Sequence, residues 1–186
     1  SQNATTTGQY NTSLGYDSML LLGHDDNDGN VAIGYSAMKS SGTAGDNDAS
    51  HNTAIGTSVL ESITDGDENV CIGSSAGYSL TTANKVVFIG RQAGDAVTVT
   101  NSATSDGTVG IGYQALTALT SGAGNPAVGY QAGTALTSGL YNTAIGYGAL
   151  QTEDANGDGN TAVGYLALQN MDADTDGVGY NTAIGY

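Results

Sequence analysis

Asn142, Thr143, Ala144, Ile145, Gly146 and Tyr147 form a phrase that returns unchanged at residues 181–186, and variants of it recur throughout the chain. The phrase glycines are Gly15, Gly34, Gly56, Gly73, Gly90, Gly112, Gly129, Gly146, Gly164 and Gly185. Their spacings are 19, 22, 17, 17, 22, 17, 17, 18 and 21. Seventeen is the base unit and the longer steps are insertions. Repetition at so short a period identifies a stacked-unit architecture, in which each unit buries its neighbour.

Aligned on the glycine, the consensus is Asn, Thr or Val, Ala, Ile or Val, Gly, Tyr, any residue, Ala, then Leu or Gly. A stretch such as residues 161–165 is too short for a helix, is rich in β-branched residues and is bounded by turn formers, so it reads as a strand and turn. A 17-residue unit has no room for a helix beside its strand. The expected fold is therefore all-β, a parallel β-solenoid of about ten short coils, with residues 1–186 forming a single repeat domain.

Side chains alternate faces along a strand. Ile145 and Tyr147 share one face, Ala144 and Gly146 the other, and neither face is charged. A strand that is apolar or small on both faces is expected to be covered on both. One thin coil covers only its inside, so the outside calls for lateral association of chains. Tyr follows the phrase glycine at Tyr16, Tyr35, Tyr113, Tyr130, Tyr147, Tyr165 and Tyr186, and stacked coils would turn these rings into a ladder interrupted at Thr57, Ser74 and Arg91. The phrase Asn (Asn11, Asn30, Asn52, Asn69, Asn125, Asn142, Asn160, Asn181) is expected to hydrogen-bond to the same residue of the next coil.

Composition sets further limits. The 186 residues include 29 Gly, one Phe, no Trp, and three Lys or Arg against 18 Asp or Glu, for a net charge of −15. So acidic a chain is unsuited to nucleic acid or to an anionic membrane surface, and cations are its natural small partners. No apolar run approaches the length that spans a bilayer. The sequence stops in mid-phrase at Tyr186, which suggests a segment of something longer, with targeting signals elsewhere. Cys71 stands alone in the slot that usually holds Ala and reads as a small buried residue.

Fifteen of the 18 acidic residues lie between phrases. Asp154, Asn156, Asp158, Gly159 and Asp172, Asp174, Asp176, Gly177 match the opening of a calcium loop, where oxygens at alternate positions converge on a hard cation. Asp26, Asp28 and Gly29 repeat its second half. The bidentate Glu position holds Tyr165 or Ala183, so backbone carbonyls, water or a neighbouring chain would complete the shell. Asp, Asn and Gly are also good turn formers that keep a fibre soluble. His24 and His51 sit in polar loops, no nucleophile elbow is present, and the glycine-rich loops lack the Lys of a phosphate site, so catalysis is not expected.

Runs such as residues 142–150 and 160–168 resemble the head repeats of trimeric autotransporter adhesins (YadA-like), and more closely the repeat tracts of phage and giant-virus tail fibres. The resemblance extends from about Asn11 onward. It implies a left-handed parallel β-roll wound as a homotrimer and a structural or adhesive fibre, a tail-fibre shaft or adhesin head on a virion or cell surface. Such a fibre would be extracellular and would meet a host receptor or glycan. The alternatives are a self-assembling extracellular filament built by end-to-end stacking and an ice- or glycan-binding solenoid.

Overall fold

The computed structural model describes residues 8–22, 27–41, 47–97, 106–152, 157–170 and 179–186. Each phrase forms one three-residue strand that ends immediately before its glycine. The strands are β1 (Thr12–Leu14), β2 (Val31–Ile33), β3 (Thr53–Ile55), β4 (Val70–Ile72), β5 (Val87–Ile89), β6 (Val109–Ile111), β7 (Pro126–Val128), β8 (Thr143–Ile145), β9 (Thr161–Val163) and β10 (Thr182–Ile184). They make one parallel sheet in chain order, β1 to β10, wound as a β-solenoid of about eight turns. The register is the phrase itself: Ala54 pairs with Cys71, Cys71 with Phe88, and Ala144 with Ala162. The same register holds across every spacing from 17 to 22 residues.

Parallel neighbours with identical phrases explain why glycine is obligatory after each strand. The phrase glycines have φ between 129° and 146°, a conformation closed to L side chains. A Cβ built on Gly56 would stand 2.7 Å from the carbonyl oxygen of Gly73, and one on Gly73 would stand 2.6 Å from that of Gly90. Two constraints, conformation and approach of the next coil, thus act on the same atom. The turns carry further left-handed residues at fixed places, such as Ser58 (φ 52°), Leu60 (φ 48°) and His51 (φ 59°) within one coil. Such residues cost roughly 1 kcal/mol or more each. Coil-to-coil bonds hold them, among them Ser58 N–H to the Tyr35 carbonyl at 2.8 Å and Leu60 N–H to that of Ala76 at 3.1 Å.

The middle residue of each strand points inward and is buried in β2 to β9, while its neighbours face outward. Small Ala side chains in the strand leave room for larger ones from the turns. The core is accordingly filled by Met19, Met38, Leu60, Leu116 and Leu150 from the turn after the glycine, and by Leu22, Ile63, Leu80, Leu119 and Leu136 from three residues further on. Phe88 takes an Ala slot and needs more space than Ala leaves. Three glycines supply it: a Cβ on Gly110 would meet the ring at 2.9 Å, one on Gly77 would meet it at 3.5 Å, and one on Gly94 would overlap it. Cys71 lies beside Phe88 in the same inward column, fully buried, and burial pushes its thiol pKa up.

Candidate functional site: side-chain ladders and the outward face

With the Ala column inside, the outward face consists of the residue before the glycine and the Tyr after it. Ile55, Val128 and Ile145 are exposed along the first column, and Tyr35, Tyr130, Tyr147 and Tyr165 along the second. The tyrosines form two stacks. Tyr16 and Tyr35 stand 5.8 Å apart, and Tyr113, Tyr130, Tyr147, Tyr165 and Tyr186 follow one another at 5.1, 4.9, 5.3 and 5.4 Å. The interruption falls at Thr57, Ser74 and Arg91, as the sequence indicates. Arg91 caps the longer stack, with its guanidinium 5.0 Å from the Tyr113 ring centre and Nη2 donating to the Tyr113 hydroxyl at 2.8 Å. Ring faces inside the stack are occupied by neighbouring rings, so a sugar ring has no free aromatic face to lie on there.

The phrase Asn residues make the expected ladder to the same residue of the next coil, chiefly through that residue's backbone N–H. Oδ1 of Asn52 accepts the N–H of Asn69 at 2.9 Å, and Nδ2 of Asn52 donates to the Gly66 carbonyl at 2.8 Å. Asn125 and Asn142 repeat the pattern on Asn142 and Asn160 N–H and on the Gly139 and Gly157 carbonyls. Direct amide contacts occur at Asn52 to Asn30, 3.3 Å, and Asn181 to Asn160, 3.0 Å. The cause is the left-handed residue just before each Asn, such as Glu68 (φ 58°), which turns a buried N–H and a carbonyl along the axis. Buried polar backbone groups require partners, and Asn supplies one of each kind. The ladder lapses at Val86 and Thr108, where Thr108 Oγ1 reaches the Gly122 carbonyl only at 3.4 Å.

Two further ladders escaped the sequence reading. Six residues before the glycine, side-chain oxygens accept the N–H of the preceding coil: Asp28 from Gln9, Ser50 from Asp28, Asp67 from Ser50, Asn84 from Asp67, Asp106 from Asn84, and Asp158 from Leu140, at 2.5–3.1 Å. Burial raises the Asp67 pKa, opposed by the Ser50 N–H. The column interrupts at Ala123 and Leu140. On the other side of the coil, Gln92, Gln114, Gln131, Gln151 and Gln169 link amide to amide at 3.3, 2.9, 2.9 and 3.1 Å. The first three stand two residues after the glycine and the last two stand five after it. Gln151 comes into line because Gly148 has no side chain, and a Cβ there would meet Gln151 Oε1 at 3.1 Å.

Of the residues predicted to bind calcium, Asp28 and Asp158 are described, in separate coils, each with Oδ1 on a backbone N–H. Asp26, Asp154, Asn156, Asp172, Asp174 and Asp176 lie outside the described residues. Among the described residues, no three His, Cys, Asp or Glu side chains come together as metal ligands. No protein-family model, curated protein or solved structure matches the chain.

Proposed function

We propose that this chain is a segment of an extracellular structural and adhesive fibre in which copies associate side by side, three to a fibre, to project a surface that meets a host receptor or glycan. The observation that carries the reading is the outward strand face. Ten strands present Ile, Val or Leu beside Tyr, Thr and Val, with Arg91 the single charge along these columns. At about 4.8 Å per rung the face runs roughly 45 Å. With a width of about 14 Å, two such faces together bury on the order of 1,200 Å², the lower end of stable protein interfaces. The resemblance to adhesin heads and tail fibres supports the threefold arrangement. The ladders give such a shaft its stiffness, since coils are tied by backbone bonds throughout and by Asn, carboxylate, Gln and Tyr ladders that cover different parts of its length.

Sedimentation equilibrium tests this. A discrete species of three chains supports the fibre, polymers that grow with concentration support the filament, and a monomer at all concentrations defeats both. Calcium at the acidic loops belongs to the same reading. Calorimetric titration with calcium should give heats that an Asp174→Ala, Asp176→Ala variant loses, and identical baselines would remove the ion from the model.

A further inference from the structure

We propose that the five-ring tyrosine stack is a site of oxidative cross-linking, at which a peroxide and a haem peroxidase join neighbouring coils of one chain through dityrosine bonds. Dityrosine formation requires two phenols close enough for their ortho carbons to meet. Tyr113, Tyr130, Tyr147, Tyr165 and Tyr186 satisfy this along consecutive coils, with ring planes inclined by only 6–17° and centres about one rung apart. Tyr130, Tyr147 and Tyr165 are 42 %, 46 % and 47 % exposed in the single chain, so a one-electron oxidant reaches them before a neighbouring copy covers the outward face. The parallel sheet holds them in register and spares the encounter entropy that separate phenols must overcome.

Each phenol loses an electron and its hydroxyl proton to the oxidant, giving a phenoxyl radical. Two adjacent radicals couple, and a carbon–carbon bond forms between the positions ortho to the oxygens. Each of those carbons then releases its hydrogen as a proton while a proton returns to each oxygen, which restores both rings. Overall, one peroxide is reduced to two waters for each link. Arg91 sets a polarity on the tract. Its positive charge over Tyr113 disfavours loss of an electron from that ring, so coupling is weakest between Tyr113 and Tyr130 and stronger towards Tyr186.

The chain contains its own control. Tyr10 and Tyr180 are 86 % and 85 % exposed, well above the three inner rings of the stack, and neither is stacked on another ring. The test is treatment of the dilute full chain with hydrogen peroxide and a haem peroxidase, followed by denaturing electrophoresis and peptide mapping. The expected result is dityrosine fluorescence in material of single-chain mass, with links between consecutive members of the stack. Tyr147→Phe keeps the stacked ring but forms no phenoxyl, and should remove the Tyr130–Tyr147 and Tyr147–Tyr165 links while Tyr165–Tyr186 persists. Tyr180→Phe should change nothing. Arg91→Gln should raise the Tyr113–Tyr130 link severalfold. Links that centre on Tyr10 or Tyr180, or dityrosine found only between separate chains, would overturn the proposal, as would a Tyr147→Phe map identical to that of the parent.

Discussion

The first and last halves of the solenoid share one backbone but fasten their coils with different side chains. From coil one to coil six, the outer bonds come from oxygens at the turn, Asp28, Ser50, Asp67, Asn84 and Asp106, each holding an N–H of the coil before. From coil five onward the Gln92 to Gln169 amides and the Tyr113 to Tyr186 rings join across the coil, and they carry it where the oxygen column fails at Ala123 and Leu140 before returning at Asp158. The handover lies around β5 and β6. There the Asn ladder also lapses at Val86 and Thr108, and Phe88 replaces Ala in the core. A repeat backbone therefore needs a ladder on its outer sides but not a particular one. Carboxylates at the turn bind backbone at the cost of charge, whereas rings and amides stack without it.

The largest expected effect lies in what the halves have in common. Gly56→Ala and Gly146→Ala should each destabilise by about 3 kcal/mol or more, because both put a methyl group against the next coil's carbonyl in a φ region closed to Ala. Thermal unfolding of both variants checks this, and a mild loss in one half alone would mean that the coils there can separate. Next comes the junction. Phe88→Ala removes the ring that fills the space over Gly77, Gly94 and Gly110, and should cost about 3–5 kcal/mol by denaturant titration. A loss below about 1 kcal/mol would show that the glycine-lined space collapses.

Smaller effects separate the two fastenings. Tyr147→Ser breaks two stacking contacts and should cost roughly 2 kcal/mol by thermal unfolding. Asp67→Asn tests the carboxylate column. Burial raises the folded-state pKa of Asp67, so the folded chain binds that proton more readily than the unfolded one. The penalty for its charge is complete above the folded pKa and is relieved as pH falls through that pKa towards the unfolded carboxylate value. Asn keeps an acceptor for Ser50 N–H without the charge, as Asn84 does for Asp67 N–H in the next coil. The variant should be more stable than the parent at neutral pH, and its advantage should shrink on acidification. An advantage that grows on acidification would reverse the sign assigned here.

Much of this was legible in the phrase. Its glycines located all ten strands, its alternation separated Ala144 from Ile145 and Tyr147, and the Tyr interruptions at Thr57, Ser74 and Arg91 ended the stacks where the sequence placed them. The Asp column was harder to see because Asp67 and Asp106 also look like ordinary turn residues. Only alignment six residues upstream of each glycine reveals a shared role. The Gln column was invisible to alignment, since Gln131 and Gln151 occupy different positions in their repeats and meet only because Gly148 leaves a gap.

Sequence alone determined the period, the strand positions and the uncharged character of both strand faces, because those follow from residue type at fixed spacing. Which face turns inward was a tertiary decision: Ala must lie inside to leave volume for Leu60, Leu116 and their counterparts from the turns, and that sends Ile and Tyr out. The partners of the phrase Asn were decided the same way. A left-handed turn residue aims one N–H and one carbonyl along the axis, and the side chain in reach must satisfy both.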